Sequence, residues 1–441
     1  MRARLTGLSF LSATVSVTVS VIVAGCGAGG TPAGGGAATP VSAAATAASA
    51  DASSSAPPGA VPATGTASPG AAAPGASAAS SGGAGCQGQP AEALEPGMLT
   101  GIEFVSADRG WTVGQDVILA TADGGAHWRV QLSGALNLTA VDFVNGQDGW
   151  AAGNASLLAT TDGGAHWTAL PEPCPLIRSV HFISPSTGFA VAGGRDDGGY
   201  DPALPDLGGV VLTSSDAGRT WHPLAAPANA QSVCFSDPMH GWLGAGGRLY
   251  RTADGGRQWS GPLTPPSGDT GAGYTAEMNV QCAGDGSAWA LSIGPGAAMS
   301  QAPHIGYHAD AAGATGIFAE QYFPGPNPPG RAPGSYPGPF SALSPSAAVF
   351  IDFCPACGPG TAPWDVATRS GATLTVKGNV GLVNVPQAAS FLSAQSGWVA
   401  GTAREFTGTG KSREQQRIVA TTDGGRTWRL EYATPWTPWT G

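Results

Sequence analysis

Val419-Ala-Thr-Thr-Asp-Gly-Gly-Arg-Thr-Trp428 decides the fold, because the same pattern occurs five times. The other copies are Ala120–Trp128 (ATADGGAHW), Ala159–Trp167, Leu212–Trp221 and Tyr250–Trp259. Self-similarity along a chain takes precedence over residue-by-residue reading. Each copy joins Ser or Thr, Asp and Gly, and ends on Trp. Asp and Thr side chains bond backbone amides within their own turn, and Gly supplies the positive φ of a tight hairpin. The flanks, such as VILAT and WRVQL, read as strands. Asp123, Asp162, Asp216, Asp254 and Asp423 are therefore expected to shape turns, with Trp128, Trp167, Trp221, Trp259 and Trp428 anchoring the outgoing strands. One carboxylate per copy is no calcium-ligand cluster.

A second signal sets the number of units. An apolar residue, six residues and an aromatic recur as Phe104 to Trp111, Phe143 to Trp150, Phe182 to Phe189, Phe235 to Trp242 and Phe391 to Trp398. Gly precedes the second aromatic each time. Worn copies run from Cys282 to Trp289 and from Leu343 to Phe350, followed by degraded turns near Asp310 and at 367–374. Four strands per unit predict an all-β, seven-bladed β-propeller of four-stranded antiparallel blades over residues 98–434. The worn units leave six or eight blades open on spacing alone.

These residues resemble the Asp-box, or BNR, repeat found in sialidases, plant-polysaccharide hydrolases, sortilin-type receptors and a photosystem II assembly and stability factor-like family. The Phe-x6-Gly-Trp hairpin followed by Thr-x-Asp-Gly-Gly-x-x-Trp is most similar to the last of these. That resemblance implies a partner-binding, non-enzymatic propeller without cofactors; the photosynthetic role is not carried over. The sialidase resemblance implies an Arg-Ile-Pro motif and an arginine triad. No Arg-Ile-Pro occurs, and the early units hold only Arg109, Arg129 and Arg178. A carbohydrate-active hydrolase or glycan-binding propeller, sialidase-like, stands as the alternative.

The strand order puts both repeated turns on one face. The extra residues, about 193–209, 293–306, 352–365 and 402–416, gather as loops on the other, with a long connection at 320–340. Insertions on one face of a repeat array mark the face to examine for binding. Candidate partner-binding residues there are Arg195, Asp196, Asp197 and Tyr200, then Arg404, Lys411, Arg413 and Arg417, with Arg178 near the channel mouth. Residues 435–441 read as a tail.

Ahead of the propeller, residues 1–25 carry Arg2 and Arg4, an apolar run and a small-residue site, as a secretory signal does. Cys26 directly after Ala-Gly resembles a bacterial lipobox, which implies a lipidated cysteine, membrane attachment and an extracytoplasmic location. Residues 26–97 are dominated by Ala, Gly, Ser, Pro and Thr and read as a disordered linker. As a coil, some 60 such residues reach about 40 Å.

The net charge of −10 and the lack of a basic tract argue against nucleic acid. The expected partner is an envelope protein or glycan, and the domain is expected to be a monomer. Six cysteines remain beside Cys26, and an even number outside the cytoplasm suggests disulfides. Cys354 and Cys357 suit a local bridge, Cys234 and Cys282 lie on neighbouring inner strands, and Cys86 would then pair with Cys174. A thioredoxin-type role for Cys354-Pro-Ala-Cys357 needs a helix N-terminus that nothing here predicts. A lone Cys-x-x-Cys is no zinc site. Gly408-Thr-Gly-Lys411-Ser412 lacks the first Gly of a phosphate loop, since Glu405 occupies that position. No catalytic residue, metal or cofactor is nominated.

Overall fold

The computed structural model describes residues 97–194, 209–263, 277–293, 304–312, 318–322, 336–353, 365–370, 373–379, 382–406 and 412–439. All lie in the compact unit Gly70–Gly441; the unit Met1–Pro69, and with it Cys26 and the signal, lies outside the described residues. Among the described residues there is no helix, and every named element is a strand.

The strands form antiparallel sheets in chain order, seven among the described residues. The first sheet shows the plan: Leu99–Phe104, Gly110–Gly114, Val117–Thr121 and Arg129–Ser133, each strand paired with the next. The first strands of successive sheets touch one another, and Val385–Phe391 of the last sheet touches Leu99–Phe104 of the first. They therefore line an inner wall, and the arrangement is of the β-propeller type. Burial follows this order: Gly110–Gly114 is buried throughout, whereas Arg129–Ser133 is largely exposed.

Aromatic side chains join the sheets. Trp111 stacks on Phe143 with ring centres 3.6 Å apart, and Trp150 on Phe182 at 3.5 Å. Phe189 stacks on Phe235 at 3.5 Å. Trp398 of the last sheet stacks on Phe104 of the first at 3.6 Å. The tryptophan that ends each turn motif meets the same phenylalanine edge-on, as Trp128 meets Phe104 and Trp167 meets Phe143. The stacked indoles also donate to turn carbonyls of the next sheet. Trp111 reaches Gly163 O at 3.1 Å, Trp150 reaches Ala217 O at 3.0 Å, and Trp398 reaches Gly124 O at 2.9 Å. Where the stacked ring is an indole, the junction thus combines apolar burial, ring stacking and a part-buried hydrogen bond, whereas Phe189 has no N–H to donate.

The glycine before the second aromatic has a steric cause. A Cβ on Gly110 would stand 2.6 Å from the Phe104 ring, and one on Gly241 would stand 2.6 Å from Phe235. The phenylalanine ring of each inner strand lies across that glycine on its way to the junction.

Two expectations need correction. Residues 402–416 are not a loop insertion: strands Gly397–Phe406 and Ser412–Thr421 continue as a hairpin, with 407–411 outside the described residues. The charges read as loop residues face one another across the strands, Arg404 opposite Glu414 and Glu405 opposite Arg413, a pairing that supports a sheet. Residues 435–441 are not simply a tail, since Thr437–Trp439 pairs with Ser412–Glu414 as a further strand.

Candidate functional site: the inner wall and the seventh-sheet arm

The repeated turns form from their own side chains. Thr121 Oγ1 donates to Asp123 Oδ1 at 2.9 Å and accepts the Gly125 amide, while the His127 amide donates to Asp123 Oδ1. Asp162 repeats this with Thr160 and His166, Asp216 with Ser214 and Thr220, and Asp423 with Thr421 and Thr427. Thr252 Oγ1 and the Gln258 amide donate to Asp254 in the same way. Donation from the His127 side chain and amide holds the Asp123 carboxyl at about 2. Similar bonds hold Asp162, Asp216 and Asp423 at about 2, and Asp254 below its usual range. These carboxylates are occupied in shaping turns, and among the described residues no group of three or more His, Cys, Asp or Glu suits a metal ion.

A different set of polar residues lines the inner wall. At each of the regular junctions, the residue just before the inner-strand phenylalanine reaches the backbone of the next inner strand. Ser390 Oγ accepts the Phe104 amide at 3.0 Å, Glu103 Oε2 the Phe143 amide at 2.7 Å, and Asp142 Oδ2 the Phe182 amide at 2.6 Å. His181 Nε2 lies 2.9 Å from Phe235 O. Cys234 is disulfide-bonded to Cys282, with Cα atoms 5.6 Å apart. Gln281 donates to Phe340 O and accepts the Ala342 amide, each at 2.8 Å. Ser341 donates to Ala389 O at 3.3 Å. One register position links successive sheets with a hydroxyl, a carboxyl, an imidazole, an amide or a disulfide.

Sequence reasoning missed Glu103, Asp142 and His181. The available signal was the hydrogen-bonding or thiol residue immediately before Phe104, Phe143, Phe182, Phe235 and Phe391. Burial, reinforced by the Asp142 charge, raises the Glu103 carboxyl well above its usual range, against the lowering effect of the Phe143 amide. Burial alone would lower the His181 pKa, but the Asp142 carboxyl 3.6 Å away and the Phe235 carbonyl together raise it.

Three of the candidate arginines come together on the seventh-sheet arm, and each is engaged. Arg404 pairs with Glu414 at 3.4 Å and lies 4.3 Å from the Trp439 ring centre. Arg413 Nε donates to Glu405 at 2.8 Å and its guanidinium lies 4.6 Å from the Trp436 ring centre. Arg417 donates to Leu382 O at 2.8 Å and lies 5.3 Å from Trp436. Arg178 sits at the register shift of its inner strand, half-buried, and Nε donates to Gly193 O at 3.1 Å. Cys174 is disulfide-bonded. Arg195, Asp196, Asp197, Tyr200, Lys411, Cys86, Cys354 and Cys357 lie outside the described residues.

Repeated Asp-box turns, junctions closed by stacked aromatics and an all-β wall of antiparallel sheets define a BNR-type β-propeller. Residues 92–176 match the family described as Photosynthesis system II assembly factor YCF48, and the chain is most like that family among BNR propellers. A structure described as YCF48 bound to D1 peptide aligns with 70% of this chain and 93% of its own, at 17% identity and a TM-score of 0.45. A GH74 enzyme from Niastella koreensis aligns over 76% of this chain and 66% of its own, at 12% identity and a TM-score of 0.51. An ancestral GH74 enzyme aligns over 79% of this chain and 48% of its own, at 15% identity and a TM-score of 0.50. At these identities the GH74 likeness is one of fold alone. No curated protein matches the sequence.

Proposed function

We propose that this chain is a lipid-anchored, extracytoplasmic, seven-bladed propeller that binds a protein partner and catalyses no reaction. The observation that carries the reading is the match of residues 92–176 to an assembly-factor family. The inner wall supports it: the Glu103 and Asp142 carboxylates each hold a backbone amide of the next strand, the role Ser390 plays elsewhere. A hydrolytic pair needs one carboxyl free to protonate a leaving group and another free to act on the sugar or on water. The partner face in this reading is the one opposite the Asp-box turns, with the arm bearing Arg404, Arg413 and Arg417 at its rim. Cys26 carries the lipid and residues 26–97 the tether.

Two measurements test this. Metabolic acyl labelling of the full chain is expected to disappear in Cys26→Ala; a label that persists refutes lipidation at that residue. Crosslinking in intact cells is expected to give a defined protein adduct that weakens when Arg404, Arg413 and Arg417 are together replaced by Ala. An adduct unchanged by that variant, or polysaccharide hydrolysis that depends on Glu103 and Asp142, would overturn the reading.

A further inference from the structure

The seventh-sheet arm is covered on its outer edge by the end of the chain. Gly397–Phe406 and Ser412–Thr421 pair along their whole length, whereas Thr437–Trp439 pairs only with Ser412–Glu414. Between the pairs Arg417–Ala433 and Glu414–Thr437 the outer strand takes four steps where the arm takes three. Such a bulge re-aims the side chains around it, and here it gives the two tryptophans opposite faces. Arg404 and Glu414 are cross-strand partners on one face, and Trp439, opposite Ser412, stands on that side. Glu405 and Arg413 share the other face, where Trp436 lies near Arg413 and Arg417. Each face thus offers a guanidinium to one ring, 4.3 Å from Arg404 to Trp439 and 4.6 Å from Arg413 to Trp436.

This outer strand can leave without the arm. It is three residues long, and Pro438, opposite Arg413, has no N–H to give the ladder. Thr437 and Pro438 are exposed, and both tryptophans are half-buried. Thr434 is tied upstream: its hydroxyl accepts the Gln416 amide at 3.0 Å and its carbonyl accepts the Gln415 side chain. If the strand lifts from Pro435 onward, Arg404 keeps Glu414 and Arg413 keeps Glu405. The hairpin pairing of the arm is untouched. What lifting exposes is the backbone edge of Ser412–Glu414 and two guanidinium faces.

We propose that this edge is a strand-addition site for an extended segment of a partner protein with two aromatic residues three apart, and that the C-terminal strand occupies the site until such a segment displaces it. The inference rests on the reading of the arm as a partner-binding rim and adds what the rim recognises. The chain's own end is the template for the occupant. Backbone pairing to Ser412–Glu414 supplies the common part of the affinity. Rings against Arg404 and Arg413 supply the selective part. The occupant has to be extended, because a row of backbone groups along a strand edge is matched by another strand. Its apparent affinity is reduced by the fraction of time that the tail holds the edge.

The probe is a fluorescent synthetic peptide with the sequence of residues 433–441, titrated by anisotropy into full-length wild type and full-length Trp436→Ala/Trp439→Ala. The double variant should bind it at least about tenfold tighter than wild type, whose own tail competes at high local concentration. Replacing both tryptophans of the peptide by Ala should weaken binding about tenfold, and adding Arg413→Ala to the double variant about fivefold. In wild type alone, hydrogen exchange over 434–439 should run at least about tenfold faster than over 412–421. Three results would each overturn the proposal: no peptide binding to a folded double variant, binding indifferent to the peptide's tryptophans, or equal exchange over the two segments. So would a concentration-dependent dimer that keeps the peptide out, since a second copy's tail would then be the occupant. The exchange comparison decides the matter even where the double variant does not fold. In cells, the protein adduct expected above should increase in Trp436→Ala/Trp439→Ala. Peptide binding with no cellular adduct marks failure of the partner-binding reading; an adduct without peptide binding marks failure of the strand site.

Discussion

Replacing Gly110 with Ala should destabilise the chain far more than a single methyl group suggests. The added Cβ would stand 2.6 Å from three carbons of the Phe104 ring. That ring cannot simply step aside. It is 4% exposed, stacked on Trp398 at 3.6 Å with 5° between the planes, and met edge-on by Trp128 at 5.9 Å. Moving it disturbs both contacts, each worth about 0.5–1.5 kcal/mol beyond burial. Overpacking strain adds about 1–3 kcal/mol. Trp398 would also lose its seat beneath the Gly124 carbonyl, to which it donates at 2.9 Å. The expected loss is therefore about 2–5 kcal/mol. It falls at the junction between the first and last sheets.

The assay is denaturant unfolding followed by tryptophan fluorescence, with Gly284→Ala as control. A Cβ at Gly284 meets nothing within 4 Å, so that variant should stay within about 1 kcal/mol of wild type. A double-mutant cycle isolates the cause: with Phe104→Ala in place, Gly110→Ala should become nearly neutral, giving a coupling of about 2 kcal/mol or more. Additive effects, or a Gly110→Ala loss no larger than that of Gly284→Ala, would refute the argument that the ring dictates this glycine.

Other outcomes follow from the same geometry. Asp123, Asp162, Asp216 and Asp423 titrate at about 2 in the folded chain, below the ordinary Asp value near 3.9. Their contribution is thus complete above about pH 4 and lost as pH falls towards 2; circular dichroism should show acid unfolding in that window, shifted by Asp162→Asn. Gln131 accepts the Trp167 indole N–H at 3.2 Å, so Gln131→Leu should lower stability by about 1 kcal/mol. Trp221 Nε1 is buried without a partner among the described residues, and Leu170 lies over Gly218 as Gln131 lies over Gly164. Leu170→Gln should therefore offset part of its own cost, and a loss as large as that of Leu170→Ala would count against this. The Cys234–Cys282 bridge spans 48 residues; its removal in Cys234→Ser/Cys282→Ser should cost up to about 4 kcal/mol, read as a lower midpoint than that of the oxidised wild type.

How much of this was legible in the sequence depends on which interactions each position makes. Asp-box turns bond within themselves, from Thr121 to Asp123 and from Asp123 to the His127 amide, so the local pattern carries the conformation. The Phe-x6-Gly-Trp spacing was equally readable, because Phe104 and Gly110 are register partners in one hairpin. Its meaning was not, since the stacking that uses Phe104 comes from Trp398 of the last sheet. The seventh-sheet arm was misread for a related reason. Arg404, Glu405, Arg413 and Glu414 have a loop's composition, and only cross-strand register turns them into two opposite-charge pairs.

The inner-wall position shows where sequence pattern stops being sufficient. Glu103, Asp142, His181, Cys234, Gln281 and Ser390 share no chemical type, so no residue repeat announces them. What repeats is a geometric demand: a short side chain must meet the backbone or sulfur of the next inner strand. Hydroxyl, carboxyl, imidazole, amide and disulfide all meet it, with bonds between 2.6 and 3.0 Å where nitrogen or oxygen is used at these six positions. Because the geometry is met in several ways, the choice among them is free to set other properties. Ser390 and Gln281 give links indifferent to pH, and Cys234 gives one that responds to redox conditions. Glu103, Asp142 and His181 place ionisable groups at three adjacent links. A ring held together only by hydroxyl and amide links would have the same architecture without ionisable groups at these positions. Converting Glu103 to the amide already used at Gln281 keeps a carbonyl oxygen to accept the Phe143 amide, and is the smallest change that separates the link from the ionisable group.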